Sequence, residues 1–95
     1  MEVKIINYLN LEAMKEPIAT NRNKKNNEVE FFFENGVSVN IFDFEVWEYY
    51  RAYDDTYMSG GFEVEDNVVI DYDGVFELPE EVQSALIKCG YTLDL

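Results

Sequence analysis

The chain contains no histidine and a single cysteine, Cys89, among its 95 residues. It therefore lacks the Cys and His ligand sets of zinc sites and the histidine that activates most nucleophiles. No catalytic motif such as Gly-x-Ser-x-Gly is present, and we expect a binding protein without a cofactor and not an enzyme. One cysteine cannot form an internal disulfide, which is typical of a reducing compartment and predicts a cytoplasmic protein.

Long apolar segments are also missing, since the longest apolar runs, such as Phe31–Phe33 and Val68–Ile70, contain only three residues. A helix needs about 20 apolar residues to span a bilayer, so no membrane association is expected. Hydrophobic residues nevertheless make up 47% of the chain and aromatic residues 16%. This content argues against disorder and predicts a single folded domain over residues 1–95.

Positive charge is scarce and concentrated near the start of the sequence. Seven Lys or Arg accompany 20 Asp or Glu, which leaves a net charge of −13. Residues 26–95 contain seventeen acidic and two basic residues, whereas residues 1–25 carry a net charge of +2. Because solubility requires only about 2–8 charges on a small domain, the excess favours an acidic binding surface. Such a surface repels nucleic acid and attracts basic proteins.

Residues 28–43 predict a β-hairpin, because two alternating runs flank Asn35-Gly36. A two-residue turn would set the apolar stripe of one strand against the polar stripe of the other. A three-residue loop over residues 34–36, with Gly36 left-handed, instead pairs Phe31 with Val39. We therefore predict the three-residue loop.

Two further elements follow the break at Ser59–Gly61. Apolar runs on both sides of Asp66-Asn67 predict a second hairpin. A C-terminal helix is predicted to begin at Pro79 and to end at Gly90, with acidic residues in its first turn. Its apolar stripe consists of Val82, Leu86 and Cys89.

The aromatic segment between the hairpins fits two structures. Its large side chains recur at helical spacing, which predicts a helix from Asp43 to about Asp54, with a strand as the alternative. Near the N-terminus, the pattern predicts a strand over residues 2–8 and a short helix from Asn10 to Glu16. A polar loop is predicted over residues 20–27.

Together these elements predict an α+β fold. It would consist of a small antiparallel sheet of four to five strands, formed by the two hairpins and the N-terminal strand. The aromatic middle helix and the C-terminal helix would cover this sheet.

Acidic residues recur at alternate strand positions, which places their side chains about 6.6–7 Å apart on one face. Rows of this kind can present a charge array similar to that of a nucleic-acid backbone. Acidic and aromatic residues of the predicted middle helix would extend the array. The candidate partner-binding residues are Glu28, Glu30, Glu45, Glu48, Asp54, Asp55, Glu63, Glu65, Tyr49 and Tyr53.

The pair Asp71 and Asp73, followed by Gly74, resembles the beginning of a calcium-binding EF-hand loop. Counted from Asp71, however, the fifth position is Val75 and the twelfth is Val82, where oxygen ligands are required. Carboxylate pairs are also unavoidable by chance among 20 acidic residues. The sequence therefore predicts neither a metal site nor a catalytic carboxylate pair.

In its size, negative charge and aromatic content, the chain resembles the small acidic anti-defence proteins of phages and mobile elements. These include DNA-mimicking antirestriction proteins and anti-CRISPR proteins. The resemblance is one of composition and assigns no role to any single residue. It implies an inhibitor that occupies a basic nucleic-acid-binding groove of a partner such as a CRISPR effector or a restriction complex. Such an inhibitor would not contact nucleic acid directly.

The alternative is a protein–protein interaction module or homodimer whose acidic residues serve solubility only. Phe32, Phe42 or the tyrosines would then form an apolar contact patch.

Overall fold

The computed structural model describes residues 15–22, 27–42, 45–75 and 77–94. These residues form one seven-stranded sheet, in which the strands lie side by side in chain order. Neighbouring strands are antiparallel, except for the last two, which are parallel. The elements are β1 (Ala19–Asn21), β2 (Glu28–Phe32), β3 (Val37–Phe42), β4 (Val46–Arg51), β5 (Thr56–Glu65), β6 (Val68–Tyr72), helix α1 (Glu80–Lys88) and β7 (Thr92–Leu93).

The sheet curves into a half-barrel with α1 packed against it, so the predicted α+β fold with four to five strands is wrong. The predicted middle helix is the main error, because Val46–Arg51 is strand β4. β4 pairs with β3 on one side and β5 on the other, and these two backbone ladders outweigh the helical spacing of the aromatics. Val, Trp and Tyr also favour strands.

The predicted N-terminal elements fall largely outside the described residues. The strand over residues 2–8 lies there entirely, as do residues 10–14 of the predicted short helix. Lys15 and Glu16, the last two residues of that helix, adopt no regular secondary structure. Part of the predicted polar loop is instead strand β1, which pairs with β2.

Both hairpins and the C-terminal helix are confirmed. Phe31 pairs with Val39, as the three-residue loop requires. That loop, Glu34–Gly36, forms one 3-10 turn in which Gly36 has a φ of +72°. β5 and β6 flank Asp66-Asn67, and α1 ends before Gly90, which has a φ of +102°.

The hydrophobic core lies between α1 and one face of the sheet. We call this the concave face and the opposite one the convex face. Along β3 and β4 buried and more exposed residues alternate, so that every second side chain joins the core. The largest fully buried side chains are Trp47, Phe31, Leu86, Val39, Val69 and Val82.

Strand β5 belongs to two ladders. Residues 56–61 pair with β4 and residues 62–65 with β6. The segment after β6 lies directly on β5 where the two ladders meet, since a Cβ atom at Gly60 would fall 1.9 Å from the carbonyl oxygen of Asp73. The backbone N–H of Gly61 donates a 2.6 Å hydrogen bond to the Asp73 carboxylate. Gly60 is therefore required for this close approach.

Candidate functional site

Acidic side chains lie on the convex face of three strands. On β2, Glu28 and Glu30 alternate with residues that join the core. Glu30 lies opposite Asn40 of β3, which in turn lies opposite Glu48 of β4. Two strand spacings separate the Glu30 and Glu48 backbones by about 9.5–10 Å. Sequence alternation predicted the shared face of Glu28 and Glu30, whereas Glu48 was expected on the middle helix and joins them because Val46–Arg51 is a strand.

Glu63 and Glu65 are exposed and continue the acidic face on β5. Glu63 lies directly opposite Asp71 of β6, so two like charges are paired across the ladder. These two carboxylates, together with Glu45 and Asp73, line a shallow depression of about 400 Å³. In the described ranges, no group of three or more His, Cys, Asp or Glu side chains could hold a metal ion.

Glu45 is positioned by its backbone and not by its side chain. It precedes β4 with a φ of +61°, and its N–H donates to the carbonyl of Phe42 over 3.2 Å. Its own carbonyl accepts a 2.9 Å hydrogen bond from the N–H of Phe62. The backbone of Glu45, an exposed residue, is thereby fixed at the acidic depression.

Glu48 is held by two neighbouring strands. Asn40 donates to one carboxylate oxygen over 3.2 Å, and the Tyr57 hydroxyl donates to the other over 2.8 Å. The hydrogen bond to Glu48 raises the pKa of the Tyr57 phenol. The Glu48 carboxylate is therefore held in a fixed position, and it orients an aromatic ring that is 58% exposed.

Asp54 and Asp55 lie in the turn between β4 and β5 and have different surroundings. The Arg51 guanidinium donates to both carboxylate oxygens of Asp54, the shortest contact being 2.8 Å. This hydrogen bonding lowers the pKa of Asp54 to about 2. Asp55 accepts a 2.9 Å hydrogen bond from the Tyr50 hydroxyl, which raises the pKa of that phenol. The charge of Asp54 is thus compensated within the turn, whereas Asp55 accepts from an uncharged group.

The two predicted aromatic anchors differ in exposure. Tyr53 is 71% exposed, and the guanidinium carbon of Arg51 lies 5.2 Å from the centre of its ring. Tyr49 is only 3% exposed and belongs to the core on the concave face. Burial raises the pKa of its phenol. Tyr49 therefore stabilises the fold and does not form part of the acidic surface.

The convex aromatic residues Phe32, Tyr50 and Tyr57 lie in one row across the sheet. Phe32 is opposite Ser38, Ser38 is opposite Tyr50, and Tyr50 is opposite Tyr57. Each of the three aromatic side chains is at least 37% exposed. Phe32 and the tyrosines were expected in the alternative contact patch, but the row itself was missed because the predicted helix turned Tyr50 toward the core. Strand alternation along Val46–Arg51 was the signal that could have identified it.

The four basic residues in the described part of the chain all lie on the side of α1. Lys15 forms a 3.0 Å ion pair with Glu81 of α1, and Lys88 of α1 forms one of 2.8 Å with Glu16. Arg22 donates to the Lys88 carbonyl. Arg51 and Lys15 line a depression of about 740 Å³ at the end of the concave face, together with Tyr49, Tyr53 and Glu81.

Cys89 follows α1 and packs against the core as a partly buried side chain. Burial raises the pKa of its thiol, which disfavours the reactive thiolate. This agrees with its predicted place on the apolar stripe of the helix.

No family model matches the chain, and the comparisons with curated proteins and with solved structures returned no match. Among the residues that the structure describes, no helix is long and apolar enough to cross a membrane.

Proposed function

We propose that this chain is an acidic protein-binding inhibitor, whose convex face docks in a basic nucleic-acid-binding groove of another protein. One observation carries the proposal: basic side chains are confined to one side of the sheet. Among the described residues, Glu28, Glu30, Glu48, Glu63 and Glu65 point outward from the convex face, whereas all four Lys and Arg side chains make their contacts on the side of α1.

The spacing of the acidic residues supports competition with a nucleic acid. Glu28 and Glu30, and likewise Glu63 and Glu65, are separated by about 6.6–7 Å along their strands. A rigid sheet holds these charges in a curved array, so little conformational entropy is lost when they meet a basic groove. Opposite charge would also steer the two proteins together and make association fast and salt-sensitive.

The proposal assigns the protein to the anti-defence inhibitors that it resembles in composition, with a CRISPR effector or a restriction complex as the target. Such targets are cytoplasmic, and the single cysteine of the chain fits that compartment. Asp54 is excluded from the proposed contact residues, because Arg51 already compensates its charge. Tyr49 is excluded because it is buried.

The test compares two variants that have the same net charge. Glu63→Gln/Glu65→Gln neutralises two exposed residues of the convex face. The control, Glu77→Gln/Glu80→Gln, neutralises two other exposed residues: Glu77 precedes α1, and Glu80 lies in its first turn. A partner captured from a host lysate is purified, and its affinity for each variant is measured with and without competing DNA. We expect the convex variant to bind about tenfold more weakly and the control to bind normally.

DNA should displace the wild-type protein from this partner, and added salt should weaken the complex. Equal affinity of both variants, together with an affinity that does not change with ionic strength, would show that the convex charge is not the binding determinant.

Self-association through the convex face is a second candidate, favoured by the exposure of Phe32, Val46, Tyr50 and Tyr57. Repulsion between two copies that each carry a net charge of −13 opposes it. Sedimentation at low and high salt distinguishes the two, since a homodimer of this kind would form only when salt screens the repulsion.

A further inference from the structure

A groove of about 480 Å³ opens on the convex face beside the hairpin loop Glu34–Gly36. Its two aromatic walls are Phe32 of β2 and Tyr50 of β4, and its floor is the small side chain of Ser38 on β3. Phe32 is 37% exposed and Tyr50 is 38% exposed. Because β3 separates the two walls, their backbones lie about 9.5–10 Å apart.

One acidic residue lines this groove, and a second holds one of its walls. Glu34 contributes to its lining, and Asp55 holds the Tyr50 hydroxyl through a 2.9 Å hydrogen bond. In the same row, Tyr57 is oriented by its 2.8 Å hydrogen bond to Glu48. None of the basic residues in the described ranges lines the groove. Its electrostatic complement is therefore a cation.

We infer that this groove receives an arginine side chain of the basic partner, with the planar guanidinium stacked between Phe32 and Tyr50. The inference rests on the proposed function and names the group that the convex face would recognise. A planar group midway between the walls lies about 5 Å from each ring, within the distance at which cations and aromatic faces attract. The hydrogen bond to Asp55 fixes the Tyr50 ring before binding, which lowers the entropic cost of docking.

The geometry favours arginine over the other side chains of a basic protein. Lysine carries a compact, strongly hydrated ammonium group, which stacks less well on an aromatic face than the delocalised guanidinium does. An uncharged apolar side chain would fill the volume but would make no use of the carboxylates of Glu34 and Asp55. The arginine guanidinium is planar and can stack on the aromatic walls, and its positive charge complements the nearby carboxylates.

Oligoarginine and oligolysine peptides of equal length and charge provide the probes. Calorimetric titration of the full chain at moderate salt should give a dissociation constant roughly five- to tenfold lower for oligoarginine. Arginine-induced NMR shifts should be concentrated on the Phe32 and Tyr50 rings. Tyr50→Ala removes one wall of the groove, and Ser38→Leu fills its floor. Both variants should therefore lose most of the preference for oligoarginine over oligolysine.

Ile70→Ser is the matched control, since it alters an exposed apolar side chain on β6, away from the groove. It should retain the full preference for arginine. Circular dichroism establishes that each variant is folded, and Ser38→Leu keeps the test valid if Tyr50→Ala is unstable, because leucine adds apolar surface without removing a contact.

The possible outcomes separate this inference from the proposed function. If both peptides bind with equal affinity, or if Tyr50→Ala and Ser38→Leu keep the preference, the groove is not an arginine site although the acidic face still attracts cations. If neither peptide binds and Glu63→Gln/Glu65→Gln changes nothing, the acidic surface and the groove are both overturned. A preference lost only in the two groove variants supports the inference.

Discussion

The two faces of the sheet use the same strands in opposite ways. On β4, Trp47 and Tyr49 point into the concave core, whereas Glu48 and Tyr50 point outward from the convex face. The concave face is covered by α1, and the convex face combines carboxylates with exposed rings. Because successive residues of a strand alternate between faces, the core and the proposed recognition surface are encoded by interleaved positions. Substitutions at neighbouring positions should therefore have very different effects.

The largest difference should be between Trp47→Ala and Tyr50→Ala. Trp47 is fully buried, so its truncation should reduce the free energy of unfolding by about 3–5 kcal/mol. Tyr50 is 38% exposed, and its truncation should cost less than about 1 kcal/mol. Urea denaturation of the two variants measures both values. Similar losses in the two variants would mean that the convex face contributes to stability as much as the concave face does.

A smaller loss is expected in β5, near the point where its pairing partner changes from β4 to β6. A Cβ atom at Gly60 would collide with the Asp73 backbone, so Gly60→Ala should destabilise the protein by about 1–3 kcal/mol. Gly61→Ala is the control, because its Cβ would lie 3.2 Å from a side-chain oxygen of Asp73, which can move. Thermal unfolding should rank Gly60→Ala as the less stable variant. The reverse order would argue against a tight contact at Gly60.

Neutralising one acidic residue of the convex face should stabilise the fold. Glu63 lies opposite Asp71, and Glu63→Gln relieves this repulsion by a few tenths of a kcal/mol at low ionic strength. The gain should vanish at high salt, because exposed charges are then screened. Urea denaturation at both salt concentrations, with Glu77→Gln as the control, checks this. A gain that persists at high salt would point to a cause other than charge.

The smallest effect on stability is expected in the turn between β4 and β5. The pKa of Asp54 is lowered from 3.8 to about 2 by Arg51, so the pair contributes stability above pH 3.8. That contribution is lost as the pH falls from about 3.8 to about 2. An NMR titration of the Asp54 carboxyl should give a midpoint near 2, which should return toward 3.8 in Arg51→Gln. An unchanged midpoint in that variant would remove Arg51 as the cause.

The elements with strong local signals could be predicted from the sequence. Asn35-Gly36 has the left-handed backbone that closes the first hairpin. The register of that hairpin followed from placing the apolar residues of one strand opposite the apolar residues of the other. Pro79 and Gly90 likewise mark the limits of α1. In these segments, the residues that determine the structure are neighbours in the chain.

The remaining strands depend on partners that are distant in sequence or on very short segments. β4 exists because β3 and β5 pair with it on both sides, which its own aromatic spacing does not reveal. β1 and β7 contain only three and two residues, too few to show a period. Strands this short form because a neighbouring strand offers them backbone hydrogen bonds at the edge of the sheet.

The same error explains which part of the candidate site was missed. A helix starting near Asp43 places Trp47 and Tyr50 on one face, whereas a strand places Trp47 and Tyr49 together. Tyr49 was therefore expected at the surface and Tyr50 in the core, and the structure has them the other way round. The glutamates of β2 and β5 were placed on the convex face correctly, because strands were predicted there.

The chain order of the strands also bears on how the protein forms during synthesis. Strands β1 to β6 can assemble one hairpin at a time as they leave the ribosome, because each pairs with its predecessor. Helix α1 follows all six, and β7 can join β6 in parallel only after it. Until residues 80–88 emerge, the nascent sheet exposes the apolar side chains that the helix later covers. During translation, the side of the molecule that is most protected in the finished protein is thus the one most open to chaperones.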